Sequence, residues 1–308
     1  MEPHTRGTPQ YEVKFDGWRC LAFTAGPIHL QSRHGKDLTR HFPDVRAGLD
    51  AALLPDAVLD GELIVFDPAR GRTSFGALQD RVRTGRRPLA VSYVVFDLLQ
   101  LDGIELLDRP LLERRMLLEE LLDGVPVPVL CPATRDPDEA RRWFDDYAVT
   151  GAEGIMIKDL SSRYRPTGPG WWKWKRRTTT EAIIAGVQGV PETLLLGRRS
   201  PSGRLHYVGR TVPLSAGQAA ALRPRLTPAG PDHPWPRPLP RSWSGGFDQA
   251  PADYVPVLPD LIAEIAADAA HDHGRWRHPV RFLRLRDDLG PAHLPLWTPE
   301  PAAQRPAS

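Results

Sequence analysis

Residues 58–66 read VLDGELIVF, and that stretch limits the fold more than any other. Its apolar residues require a strand covered by neighbours, yet Glu62 stands among them. A carboxylate in so apolar a strand needs a partner, whether cation, metal or proton, because an unpaired buried charge is costly. A second near-continuous apolar strand, residues 90–99, carries Phe96 and Asp97 near its end. Around these two, residues 11–15 alternate like a strand, Asp16-Gly17 is a strong turn dipeptide, and residues 18–23 read as the return strand of a hairpin. Residues 27–32, 127–131, 153–158 and 171–175 read as further strands. Helices are expected from Pro43, with Val45, Leu49, Ala52 and Leu53 as the apolar stripe, and over residues 75–82, 111–122 and 136–147.

The pattern changes after residues 176–180, which read as a hinge. Short strands follow at 181–188, 193–199, 205–209 and 280–286, with a helix at 215–226 and a stretch at 261–268 that fits strand or helix. Residues 227–259, dense in Pro, Trp and Gly, read as ordered loop, and residues 289–308 as a frayed tail. The expected class is α+β: a domain of antiparallel sheets with flanking helices over 1–177, a small OB-type β-barrel over 178–290, and a flexible Pro-rich tail over 291–308. A length of 308 residues suits two such domains. No apolar run approaches the roughly 20 residues that span a bilayer. Two cysteines, Cys20 and Cys131, make no framework for metal or disulfides, so a cytoplasmic protein without membrane contact is expected.

Of the 40 basic residues, 35 are Arg and 5 are Lys: Lys14, Lys36, Lys158, Lys173 and Lys175. Arg serves almost wherever a cation is needed, so each surviving Lys asks for a reason. A guanidinium stays protonated, whereas an ammonium loses its proton when desolvated or crowded by cations. Lys14 is therefore a candidate nucleophile. Lys158, Lys173 and Lys175 form a candidate anion site, and Lys173 and Lys175, two apart in a strand, must share a face. Each feature has an ordinary alternative: a solvated Lys beside a bend, a core Phe96, a structural ion pair at Glu62 or Glu153, an edge strand guarded by charge. His271-Asp272-His273 with His278 lacks the spacing of a zinc site and reads as a polar loop.

The order of the features is more specific than any one of them. Lys14-x-Asp16-Gly17-x-Arg19, Ser32-Arg33-x-Gly35, Asp60-Gly61-Glu62, the segment from Tyr93 to Asp97, Glu153-Gly154 with Lys158, and Lys173-x-Lys175 follow one another along the chain. That series resembles the covalent nucleotidyltransferases, and among them the ATP-dependent DNA ligases. Phe75-x-x-Leu78-Gln79-x-Arg81, and Asp37-Leu38-Thr39 before Phe42-Pro43, resemble the bacterial ligases without a separate N-terminal DNA-binding domain.

The resemblance implies that Lys14 attacks the α-phosphate of ATP, releases pyrophosphate and carries AMP as a phosphoramidate. It implies that Lys173 and Lys175 hold that phosphate, that Glu62 and Glu153 direct Mg²⁺, with Mn²⁺ able to substitute, and that Phe96 stacks on adenine. Glu12 would read the adenine amino group and Arg19 the ribose, with Lys158 also in the nucleotide site. Asp16 would act in the later steps, and Arg33 would touch the 5′-phosphate of nicked duplex DNA. The family's second domain usually ends in Arg-x-Asp-Lys; here Leu289 stands at the Lys position, and Arg284 and Arg286 are expected to serve. A monomer sealing nicks in repair is the leading expectation. Its rivals are an RNA-ligating or capping-type enzyme, which labelling by GTP would reveal, and a nick-binding module with weakened catalysis.

Overall fold

Alternation of apolar and polar side chains builds two antiparallel sheets in the first part of the chain, and each buries one face against helices. The computed structural model describes residues 7–165, 170–189, 192–240, 243, 253–268, 271–272 and 274–298. The chain divides into two compact units, Met1–Arg176 and Arg177–Ser308.

In chain order the first unit contains β1 (Pro9–Lys14), β2 (Trp18–Phe23), β3 (His29–Ser32), α1 (Pro43–Ala52), β4 (Ala57–Asp67), α2 (Phe75–Thr84) and β5 (Val91–Leu101). It continues through α3 (Leu111–Leu121), β6 (Ala133–Thr134), α4 (Pro137–Val149), β7 (Gly154–Asp159) and β8 (Trp171–Lys175). One sheet has the order β8-β7-β1-β6; the other is built on β3-β2-β4-β5. Cys20, Ala22, Leu59, Leu63, Tyr93 and Val95 of the larger sheet pack into the main core with residues of α1, α2 and α3. The smaller sheet turns Tyr11, Ile155, Ile157 and Trp174 towards α4, where Phe144 stacks on Trp174 at 4.4 Å.

The expected hairpin does not form. β1 pairs with β7 and β6, while β2 pairs with β3 and β4 in the other sheet, so the chain crosses between sheets at residues 15–17. Gly17 is required by close approach: a Cβ there would lie 2.1 Å from the Leu63 carbonyl oxygen, a backbone atom that cannot move aside. Tertiary pairing overrides the local preference of Asp16-Gly17 for a turn.

Other expectations also change. Leu53 is outside the stripe of α1; it takes a left-handed conformation at the helix end and is 87% exposed. Within residues 127–131 only Val129–Leu130 pair as a strand, because Pro126 and Pro128 offer no N–H to a ladder.

The second unit contains β9 (Arg177–Gln188), β10 (Thr193–Arg199), β11 (Leu205–Arg210), α5 (Ala216–Leu222), β12 (Ile262–Asp268) and β13 (Arg281–Leu285). The expected hinge at 176–180 is thus mostly strand, and residues 261–268 resolve as strand. The helix expected at 215–226 ends at Leu222 and tightens into a 3₁₀ turn, Arg223–Arg225, because Pro224 cannot continue an α-helix. The sheet order is β11-β10-β9-β12-β13. Beyond its ends Thr211 bridges Val280 in parallel: the Val212 N–H donates to the Val280 carbonyl at 2.7 Å, and the Val280 N–H to the Arg210 carbonyl at 2.9 Å. Residues 289–298 are not frayed. Leu294 is buried, Trp297 stacks on His206 at 3.8 Å, and the Trp297 N–H donates to the Arg199 carbonyl. Two apolar side chains anchor what its proline content suggested was loose. The rest of the expected tail, residues 299–308, lies outside the described residues, as do His273 of the histidine cluster, residues 166–169, 241–242 and 244–252 of the expected loops.

Candidate active site

β7 runs between β1 and β8, and antiparallel registry sets their residues in rows. Lys14, Gly154 and Lys175 form one row, Glu12, Met156 and Lys173 the next, and Gln10, Lys158 and Trp171 the third. Because side chains alternate along a strand, all these residues share the face turned away from α4. The larger sheet faces them with β2, β4 and β5: Lys158 Nζ lies 4.6 Å from the Phe96 ring centre, and the Arg19 guanidinium 5.5 Å from that of Trp171. The candidate site is thus a crevice between two sheets of one unit.

At one end of the crevice Glu153 holds two amines. Its Oε2 accepts from Lys14 Nζ and lies 3.1 Å from Lys175 Nζ; Glu153 is 3% exposed, Lys14 and Lys175 about a fifth. Burial alone would raise the Glu153 carboxyl, but the ammoniums of Lys14 and Lys175 outweigh it and hold the group below the ordinary carboxylate range. Burial and the positive charges of Lys14, Lys175 and Arg33 push the Lys173 ammonium down. Glu62 behaves oppositely: burial pushes its carboxyl up to about 8, with Lys14 only partly offsetting it. The partner demanded by that apolar strand is therefore only partly supplied by the protein itself.

A second ion pair closes the other end. Lys158 Nζ lies 2.6 Å from Glu12 Oε2, with side chains 1% and 2% exposed, and Gln10 Nε2 donates to Glu12 Oε1 at 2.8 Å. Lys158 also donates to the Phe96 carbonyl at 3.4 Å and sits 4.2 Å from the Trp171 ring centre. The structure thus takes Lys158 out of the expected anion cluster and sets it beside Glu12 and Phe96.

Between these ends Arg19 forms a fork with buried Asp60, at 3.0 and 2.6 Å. Arg19 also donates to the Tyr164 hydroxyl at 3.0 Å, and that hydroxyl donates to Asp60 at 2.8 Å. Although burial works against its charge, the Asp60 carboxylate keeps the Arg19 guanidinium firmly protonated. Phe96 meets Trp171 edge to face at 6.1 Å, so an aromatic corner lines the slot. Asp60, Tyr164, Trp171 and Gln10 were not singled out from sequence as site residues. For Trp171 and Gln10 a signal existed, since they lie two residues from Lys173 and from Glu12 in alternating strands.

Asp16 lies in the crossing between the sheets, and Arg33 is exposed just beyond β3. Arg284 and Arg286 lie in the second unit. There Arg284 pairs with Glu264 at 2.8 Å, while Arg286 pairs with Asp288 at 2.7 Å and Glu181 at 3.0 Å.

Comparison with known proteins gives the family. Residues 1–175 match the family model of the ATP dependent DNA ligase domain, and residues 188–289 that of the ATP dependent DNA ligase C terminal region. DNA ligase C2 of Mycolicibacterium smegmatis is 32% identical over 311 residues, covering 90% of this chain and 86% of that protein. DNA ligase C of Mycobacterium tuberculosis is 30% identical, covering 91% and 86%. Among solved structures, a mycobacterial DNA ligase D complexed with ATP and MES superimposes with a TM-score of 0.52 at 30% identity, covering 95% of this chain and 96% of that one. With family models spanning both units and relatives of this identity along most of its length, the chain belongs to the ATP-dependent DNA ligase family.

Proposed function

We propose that Lys14 is the nucleophile of this ligase and that the crevice between the two sheets is where ATP is opened. Membership of the family makes the chain an ATP-using enzyme that binds nucleic acid. The observation that carries the assignment is the grouping of Lys14 and Lys175 on buried Glu153, with Lys173 in the next row of the same sheet face. The Lys14 amine attacks the α-phosphorus; a nitrogen–phosphorus bond forms, the α–β phosphoanhydride bond breaks, and pyrophosphate leaves. An amine attacks only as the free base, a form that an arginine at this position could not supply. Lys173 and Lys175 neutralise charge growing on the phosphoryl oxygens.

Phe96 stacks on adenine, Glu12 accepts from its amino group, and Arg19, fixed by Asp60 and Tyr164, faces the ribose. Glu62 and Glu153 fit a divalent cation: Glu153 carries its charge despite deep burial, and Lys14 offsets the burial of Glu62 only in part. Held by these two carboxylates, Mg²⁺ or Mn²⁺ would supply neutralisation of the phosphate charge. AMP then passes to the 5′-phosphate at a nick in duplex DNA, with Arg33 touching that phosphate and Asp16 acting in the later steps. The 3′-hydroxyl finally displaces AMP.

The second unit fits an OB-type barrel. The order β11-β10-β9-β12-β13, joined at its ends by the parallel Thr211–Val280 bridge and with α5 between β11 and β12, supports that reading. Arg284 and Arg286 would meet the triphosphate only after leaving Glu264, Glu181 and Asp288. We read the enzyme as a monomer acting in repair. Among the described residues no helix is long and apolar enough to cross a membrane.

The test is direct. Protein stripped of AMP with pyrophosphate, then given ATP and Mg²⁺, should gain the mass of AMP, and Lys14→Ala should gain nothing. An adduct that persists in Lys14→Ala would place the nucleophile elsewhere.

A further inference from the structure

Lys158 has no free capacity for a phosphate. An ammonium has three N–H donors. Glu12 Oε2 and the Phe96 carbonyl take two, and the remaining side of the ammonium lies against the Trp171 ring face. Its charge is spent on Glu12, a carboxylate that is itself 2% exposed. Gln10 adds a neutral donor to the other oxygen of Glu12. A carboxylate with those two donors still has lone pairs for one more, and it remains a pure acceptor only while ionised.

We infer that Lys158, supported by Gln10, sets which nucleobase the ligase takes, by keeping Glu12 an obligate acceptor. An obligate acceptor welcomes the 6-amino group of adenine and rejects a 6-carbonyl oxygen, which would bring a second acceptor against it without a proton between them. Without the ammonium, a carboxylate so deeply buried would lack counter-charge, and the neutral acid would be the less costly form. That acid carries a proton and could donate to a 6-carbonyl. Selectivity for ATP would then rest on a residue that need not touch the base at all. The inference depends on the reading that Glu12 faces the base edge, so the experiment separates the two.

The probe is inosine triphosphate, which differs from ATP only in having a 6-carbonyl and N1–H in place of the amino group. Adenylylation by ATP and inosinylation by its analogue are followed by intact mass, and the ratio of the two kcat/KM values is the readout. Wild type should prefer ATP by at least roughly 10³-fold, as sites built around a specific hydrogen bond do. Lys158→Met should cut that preference at least about tenfold, whereas Lys158→Arg, which restores the cation, should hold it within about threefold of wild type. Glu12→Gln, whose amide can donate, should also cut it. If Glu12→Gln leaves the ratio unchanged, Glu12 does not read the base and both statements fall. If Glu12→Gln shifts the ratio but Lys158→Met slows both nucleotides equally, the base reading stands and the role of Lys158 is overturned. Should Lys158→Met fail to fold, Gln10→Leu carries the same test: the ratio should narrow about threefold, and an unchanged ratio overturns the inference.

Discussion

Two ion pairs stand on the same face of one sheet, built from the same two residue types on β1 and β7 or beside them. Lys158–Glu12 is sealed, each side chain at most 2% exposed, with aromatic rings over the ammonium. Lys14–Glu153–Lys175 is open, its amines near a fifth exposed, and Glu153 shares its charge between two of them. Solvent access and partner count, not residue type, separate a charge that holds a shape from one that is available for chemistry. The sealed pair sets one amine on one carboxylate inside the protein, whereas the open cluster sets two part-exposed amines on one oxygen of Glu153 with Lys173 in the next row, an arrangement suited to a triphosphate.

The sharpest way to break that contrast is to exchange cation for cation at both places. Lys14→Arg keeps the charge but cannot become a free base, so adduct formation should fall by at least roughly 10⁴-fold, while Lys158→Arg should retain most of it. Equal losses in the two variants, measured by intact mass, would erase the distinction. Stability gives the next largest difference. Glu12→Ala strands a buried ammonium and should cost about 3–5 kcal/mol in urea unfolding. Glu153→Ala leaves amines that can reach water, and should cost only roughly 1–2 kcal/mol. A reversed ranking would mean that the open cluster is the structural one.

The smallest effect concerns pH and Glu62, on the open side of the crevice. Its carboxyl is raised from 4.5 to about 8, so the folded state favours the neutral acid. That contribution to stability is fully present below the unfolded value and is lost as pH rises through about 8. Glu62→Gln, which stays neutral, should therefore melt a few degrees above wild type in alkaline buffer without divalent ions, and the two curves should converge in mild acid. Curves that remain parallel across that range would remove Glu62 from the charged set.

Much of the site was legible because strand alternation is a local rule. Lys173 and Lys175 had to share a face, and the same rule applied to Gln10, Glu12 and Lys14 places the remainder of the rows once β1 and β7 are paired. What alternation could not give was position along the face. Lys158 is near Lys173 and Lys175 in sequence, yet registry sets it opposite Gln10 and Trp171, two rows from Lys14. The Arg19–Asp60–Tyr164 ring was invisible for another reason: its members lie 41 and 104 residues apart from Asp60, and no local pattern joins them. The turn preference of Asp16-Gly17 points to a hairpin, while the glycine is needed for its bare approach to the Leu63 carbonyl. Over residues 289–298 proline content hides the two anchoring side chains, Leu294 and Trp297.

The crossing at residues 15–17 has a consequence for how such a chain can change over time. Surface loops tolerate added residues freely, but here one inserted residue would slip β1 or β2 by one position, and a slip of one turns every side chain of a strand to its opposite face. Lys14 would be buried towards α4, or Arg19 towards the main core. The length of the connection that follows Lys14 therefore has little freedom to drift.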